Sequence, residues 1–505
     1  MYESLERAIH VNMQPVNDVV IIGAGIAGIN AAYRIQSTLP IYKYAILEAR
    51  DDIGGTWDLF KYPGVRSDSD LFTFGFEFNP WKHGQPIAGG PAIQDYIRDT
   101  AHKFGIDQRI MFRHRLVAAD WQSDRNVWSL SVVANGQSKL YETRFVILAT
   151  GFIDYQEPLK THIPGIHNFQ GPVIKPQFWP DKINYSGRNI AIIGSGATAI
   201  TLVPKLAEKA SRVTMIQRSP TYILSLPNWK WKASHQLQRT VWIFVLRGFF
   251  LFCRWLPLLS SWLLKLAVQI QLPSNINYDP HFKPDYKPWD QRLCIAPNGD
   301  FFRSLRLGKA DIRTDTIKTI TADSIVLSSG EEIEADIIIQ ATGLKLQVAG
   351  GSSVSSDGQK VNLSEKYLWN GVMLQDIPNA FYIFGYTNTS WTLGVDTAAH
   401  LICRLLSEME KRGNVAAVPR VAGTTLLRNR RLINLSSTYI ALAEHILPKA
   451  ADQSPWKPRD HYVRDLEIAQ HGDITNCLQF VQSPGLRSQH DVAHKGIIID
   501  RSSKQ

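Results

Sequence analysis

With 505 residues the chain has room for two or three hydrophobic cores, and its 44% hydrophobic and 20% charged residues are ordinary for a globular protein. Lys and Arg number 55 against 45 Asp and Glu, a formal charge of +10 that favours anionic ligands, acidic membrane surfaces or nucleic acid. No basic run, zinc-finger spacing or RNA-binding signature stands out, which sets nucleic acid aside.

The chain opens MYESLERAIH, without the basic flank and apolar core of a secretory signal, so a cytoplasmic setting is expected. The first predicted strand, Val19 to Ile22, runs into Gly23-Ala24-Gly25-Ile26-Ala27-Gly28. A helical pattern from Ile29 to Ile35 and a second strand, Tyr44 to Leu47, follow, and Glu48 stands about 20 residues after Gly28. This is the grammar of a dinucleotide-binding unit. Gly23 makes the turn, Gly25 lets backbone approach a pyrophosphate, and Gly28 lets the helix pack on the strand. The helix N-terminus then faces the phosphates, and Glu48 is placed for the ribose hydroxyls.

The same grammar recurs from Asn189 to Ile193, through Gly194-Ser195-Gly196-Ala197-Thr198-Ala199 and a helix ending at Leu206, to a strand Val213 to Ile216. Here the strand ends in Gln217-Arg218-Ser219, with no acid at the ribose position. A guanidinium and a hydroxyl suit a 2′-phosphate, so this unit is expected to prefer NADP over NAD. The competing reading makes Arg218 a solvated surface charge.

Each unit is closed by a strand entering a small-residue turn: Phe145 to Leu148 before Ala149-Thr150-Gly151, and Ile337 to Gln340 before Ala341-Thr342-Gly343. Paired this way, they predict an α/β fold of two nested Rossmann-like dinucleotide-binding domains. Residues 1–155 would form the first part of one domain and 156–343 the second domain. Residues 344–505 would complete the first domain and end in a tail.

Between Ile223 and Pro288 the composition shifts, and a helical insert of about 223–288 is expected in the second domain. Trp242 to Leu272 is rich in Leu, Phe, Trp and Ile, but Arg247, Arg254, Pro257 and Lys265 interrupt it, against a spanning helix. The insert reads either as a helical subdomain covering the active site or as an apolar, cation-studded surface resting on a membrane through about 242–272. Beyond about Ser483 the tail reads as loosely ordered, with His490 and His494 solvated and no metal site expected. The four cysteines, Cys253, Cys294, Cys403 and Cys477, are dispersed. They point to a reduced setting and supply no Cys-x-x-Cys pair for a disulfide reductase.

Three further segments carry a resemblance. Gly54-Gly55-Thr56-Trp57 precedes Tyr62-Pro63-Gly64-Val65-Arg66-Ser67-Asp68; Phe169-Gln170-Gly171 precedes Trp179-Pro180; Asp290-Gln291-Arg292-Leu293-Cys294 precedes the closing strands. In turn they resemble the second signature, the Baeyer–Villiger fingerprint and the catalytic-arginine segment of the class B flavin-dependent monooxygenases. The SDSD run, KPWDQRLC and the stretch Gly385 to Thr392 are similar to the ethionamide-activating monooxygenase subgroup. The likeness runs from about Asp18 to about Val481.

The resemblance implies a flavin-dependent NADPH monooxygenase with FAD on the first unit and NADPH on the second. O2 would be inserted beside a ketone carbonyl, through a C4a-peroxyflavin, to give an ester or lactone. Oxygenation of sulfides, thioamides or amines by the same species is the alternative, and a membrane-bound nucleotide sensor or uncoupled oxidase the third reading. Arg292 would be the fixed cation beside the peroxide and Asp68 its orienting partner, since a guanidinium stays charged through a catalytic cycle. By the same resemblance Gly23, Ala24, Gly25, Gly28, Glu48, Thr56, Trp57, Asp68 and Val117 would contact FAD. Arg66, Ser67, Gly194, Ser195, Gly196, Ala197, Thr198, Ala199, Arg218, Ser219 and Gln291 would contact NADP. Gly385 to Thr392 would border the flavin and substrate pocket.

Two departures accompany the match. The fingerprint histidine is Lys175, and the lysine that often precedes the catalytic arginine is Gln291. An ammonium can only donate hydrogen bonds, so Lys175 predicts an active enzyme that releases some hydrogen peroxide. A solvent-facing Lys175 without effect is the other reading.

Overall fold

The computed structural model describes residues 17–421 and 426–482, so the N-terminal decapeptide and the tail with His490 and His494 lie outside the described residues. The β-branched run Asn17–Ile22 is a central strand, parallel to Tyr44–Leu47 on one side and to the end of Gln137–Leu148 on the other. Its inner residues and all of Tyr44–Leu47 are buried, which explains apolar runs rather than alternation. An antiparallel meander of His114–Gln122, Val127–Ala134 and Gln137–Leu148 widens the sheet. Ser353–Ser356 then pairs with the first meander strand, and Ala380–Tyr382 lies parallel to Val146 through Leu148. The later part of the chain thus returns to the first sheet, which has 11 strands among the described residues.

The first helix, Ile26–Thr38, starts three residues before the apolar pattern does, because the glycine turn opens directly into it: Ile29 N donates to Gly25 O at 3.1 Å. The helix Trp391–Lys411 packs against it, and Arg34 clamps the pair by meeting Asp396 at 2.9 Å.

The second sheet is wholly parallel, in the order Ala310–Thr314, Arg212–Gln217, Asn189–Ile193, Ile337–Gln340 and Val173–Ile174. The two units close by the same device. A Cβ on Gly23, at φ +107°, would lie 2.7 Å from Ala149 O, and one on Gly194, at φ +132°, 2.2 Å from Ala341 O. Each A-T-G turn therefore seats on the first glycine of its unit, where no side chain fits. Gly28 is tighter still, since its Cβ would fall 1.8 Å from Gly23 O; the second unit accepts Ala199 at the matching place, fully buried.

The insert is narrower than its composition suggests. Ile223–Leu226 is a strand parallel to Cys294–Pro297, and the helices are His235–Trp255 and Pro257–Gln269, bent by 114°. The first begins in the polar turns before Trp242, where the Ser234 hydroxyl accepts from Leu237 N at 3.3 Å; it stops before Pro257, which cannot continue it. Among the described residues no single helix is long and apolar enough to cross a membrane. Buried Arg239 ties the insert to the first domain, donating to the carbonyls of Phe72 and Thr73 at 3.3 Å and of Gly75 at 2.8 Å.

Candidate active site

Both glycine turns open on one cavity of about 750 Å³. Gly25, Thr56, Trp57, Arg66, Ser67 and Asp68 border it from the first unit, and Gly194 through Thr198 with Arg218 and Ser219 from the second. The loop before the Cys294–Pro297 strand adds Gln291 and Arg292. The spacing read in the sequence thus converges on one space of the size that ligand clefts have.

Arg292 is presented by a tight turn. Trp289 adopts φ +72° and is held by Phe250, whose ring meets it edge-on at 5.5 Å. The Arg292 guanidinium engages both oxygens of Asp68, Nε to Oδ2 at 3.1 Å and Nη2 to Oδ1 at 3.2 Å. Nη2 also donates to the Ser69 hydroxyl at 2.6 Å, while Nη1 bonds none of the described residues. One edge of the fork is fixed and the other remains for a ligand. Ser69 is a residue that sequence reasoning passed over, visible only as part of the SDSD run.

Arg66 forms an ion pair with Asp300 and a 3.4 Å bond to Ile295 O, which fixes it on the cavity rim. The Ser195 hydroxyl donates to Ser219 O at 2.9 Å and so joins the second glycine turn to the strand end. Arg218, exposed, reaches Thr438 Oγ1 at 3.3 Å and meets no carboxylate among the described residues. Lys175 also borders the cavity, half-buried, so a purely solvent-facing position does not describe it.

Several residues expected to touch a nucleotide are not among those that border this cavity. Gly23, Ala24, Gly28 and Ala199 shape the turns from behind. The Glu48 carboxylate accepts from Ala24 N at 2.6 Å and Arg50 N at 2.8 Å, and burial pushes its pKa up. Val117 sits at a register shift between Leu116 and Ala118, is 40% exposed and does not border the cavity, because the bulge re-aims it. Of Gly385 to Thr392, Tyr386, Thr387 and Trp391 reach the cavity. Trp391 stacks on Phe152 at 5.0 Å and folds over Gly385, where a Cβ would meet its ring at 2.2 Å.

The segment from Ile433 to Ile440 supplies a wall that no motif announces. Tyr439 packs on the second A-T-G turn, 3.1 Å from where a Gly343 Cβ would stand. Tyr155, paired with Thr56 across 3.1 Å, is another unannounced member. The insert, by contrast, contributes nothing to the wall: among the described residues the lining passes from Thr221 to Gln291. The reading of the insert as a helical cover gains no support from this lining; the insert packs on the Arg292 turn through Phe250 against Trp289 and Arg254 against Asp290.

All four cysteines are free, and burial pushes the thiol of Cys294, two residues from Arg292, up to about 12. Burial thus favours the neutral thiol over the thiolate that nucleophilic chemistry uses.

A family model described as pyridine nucleotide-disulphide oxidoreductase matches residues 20–232. The FAD-containing monooxygenase EthA of Mycobacterium tuberculosis (strain ATCC 25618 / H37Rv) is 42% identical over 480 residues, covering 92% of this chain and 98% of that protein. The probable FAD-binding monooxygenase AlmA of Acinetobacter baylyi is 40% identical over 461 residues, covering 89% and 92%. Among solved structures, OTEMO in complex with FAD and NADP superposes with a TM-score of 0.73 at 17% identity, over 93% of this chain and 100% of that one. Cyclohexanone monooxygenase from Rhodococcus sp. Phi1 bound to NADP+ gives 0.71 at 18%, with the same coverage.

Proposed function

We propose, from the premise that the chain belongs to the class B flavin-dependent monooxygenases, that it is an NADPH-consuming Baeyer–Villiger enzyme converting a ketone to an ester or lactone. FAD and NADP are its cofactors. When bound, the reduced flavin supplies the oxygen activation, and the protein's part is to bind, orient and exclude water.

The donor set fits two nucleotides. Gly25 and Gly196 leave the backbone bare at the start of each helix, where anionic phosphates are favoured. Ser195, Arg218 and Ser219 would take the ribose phosphate of NADP, and Trp57 with Thr56 the flavin side. The single observation that carries the reaction class is the half-held Arg292 guanidinium. A cation whose orientation Asp68 and Ser69 fix, with Nη1 unused on a cavity wall, is suited to an oxyanion that forms only during reaction. The likeness of the SDSD run and KPWDQRLC to the ethionamide-activating subgroup supports a second reading, oxygenation of a sulfide, thioamide or amine in the same cavity.

The deciding experiment is mass spectrometry of products from purified protein, NADPH and a panel of linear, cyclic and aryl ketones alongside sulfides. Ester or lactone formation is expected; sulfoxide alone would favour the second reading, and peroxide alone would overturn both.

Two further outcomes are expected. The protein should purify yellow with one FAD per chain, and Gly28→Ala should remove the flavin, because the added methyl collides with Gly23 O. A folded Gly28→Ala protein with full flavin absorbance would refute this reading of the turn. Lys175→His should lower the hydrogen peroxide released per NADPH without changing flavin content, since a neutral imidazole can accept as well as donate. Unchanged ratios would remove Lys175 from the chemistry.

A further inference from the structure

We propose that the bent helix pair of the insert is a docking surface for an anionic phospholipid bilayer, lying in its plane rather than spanning it. The second helix, Pro257–Gln269, is apolar on two opposite faces. Ser260, Leu264 and Val268, four residues apart, are buried in the protein. Offset by two positions, Leu258, Trp262, Leu266 and the following Ile270 form the opposite face, and they are 42% to 86% exposed. Phe244 and Trp255 of the first helix are 65% and 75% exposed. An isolated exposed leucine needs no explanation, but a contiguous aromatic and aliphatic face of this kind does.

The charges choose the occupant. No Asp or Glu stands between Glu208 and Asp279. Within residues 229–272, among the described residues, only Arg254 meets a carboxylate, Asp290 at 3.3 Å. Lys230, Lys232 and Lys265, exposed, and Arg247, half-buried, therefore give the insert a positive charge that no carboxylate among the described residues neutralises. A second copy docked face to face would set these cations against each other, whereas an anionic headgroup layer neutralises them while the acyl boundary takes up the Trp and Leu side chains. The 114° bend, with no single helix among the described residues both long and apolar enough to cross, fits an in-plane hairpin.

The pair is rigidly mounted. Arg239 holds its start, and Phe250 and Arg254 pack on Trp289 and Asp290, so the face is presented by the folded core rather than by a loose arm. It lies behind the Arg292 turn and outside the cavity wall, so docking leaves the nucleotide sites untouched.

The test is sedimentation of the full-length holoprotein with vesicles of phosphatidylcholine alone and with about one third phosphatidylglycerol. Preferential binding to the anionic vesicles, weakened by added salt, is expected. Leu258→Glu with Trp262→Glu should lower the partition about tenfold or more at unchanged flavin content and melting temperature. Arg247→Glu with Lys265→Glu, which leaves the apolar face intact, should erase the preference for anionic lipid. Recovery of the native protein in the supernatant with both vesicle types would overturn the proposal. So would native-like binding by the Leu258/Trp262 variant, or a native dimer that this variant converts to a monomer while neither protein binds vesicles.

Discussion

Replacing Arg292 with alanine is expected to leave a yellow, folded protein that still oxidises NADPH but yields about 10²–10³-fold less oxygenated product. The expectation follows from how this guanidinium is built into the wall. Asp68 and Ser69 occupy Nε and Nη2, at 3.1, 3.2 and 2.6 Å, and they set the plane of the fork before any substrate arrives. A charge held in advance costs no reorganisation at the moment of reaction, which is why a single such donor has a large effect on rate and a small one on binding. Folding should survive, because Arg292 is partly exposed and its segment is anchored independently by the strand pairing of Cys294–Pro297 with Ile223–Leu226. Arg292→Lys restores the charge but not the two-point hold, so it should recover only part of the product. Asp68→Asn should fall between, since the fork loses its ionic partner while the cation remains. Product yield per NADPH and flavin absorbance, measured together, check the claim; native yield from Arg292→Ala would remove the proposed role.

The two nucleotide units were legible because each rests on short-range constraints. A buried parallel strand must be an apolar run, and a turn against a neighbouring carbonyl must be glycine. Tyr44–Leu47, Asn189–Ile193 and Ile337–Gln340 accordingly start and end where the sequence places them. The pairing of Arg292 with Asp68 spans 224 positions and rested on motif resemblance rather than on any local signal. Val117 does not border the cavity, and the register shift beside it is a one-residue event that the surrounding His-Arg-Leu-Val-Ala-Ala run does not mark. Nor did anything local announce Ser69 or the wall from Ile433 to Ile440, whose side chains meet the cavity through long-range packing alone. The insert's position behind the site was equally hidden: composition gives the apolar face of a helix, not what it faces.

Removing the guanidinium of Arg218 should raise KM for NADPH by about tenfold or more and leave KM for NADH unchanged. The strand Arg212–Gln217 is pinned at its end by Gln217, whose side-chain amide donates to His281 O at 2.7 Å and Thr314 Oγ1 at 2.9 Å. Arg218 therefore leaves the sheet from a fixed point, directly beside the turn at Ser195 that the Ser219 carbonyl holds. Its only side-chain bond to a described residue is the 3.3 Å contact with Thr438, so no carboxylate competes with a phosphate for it. A charge-assisted hydrogen bond contributes about 1.5–3 kcal/mol, which is about a tenfold to hundredfold effect on affinity. Because NADH lacks the 2′-phosphate, the same substitution costs it nothing, and the ratio of the two constants isolates the contact from any general loosening of the domain. Lysine at 218 should retain part of the preference as a point charge without the planar fork. Steady-state kinetics with both cofactors on native, Arg218→Ala and Arg218→Lys proteins decide it. A parallel rise in both constants would mean that Arg218 supports the fold of the strand end rather than reading the phosphate.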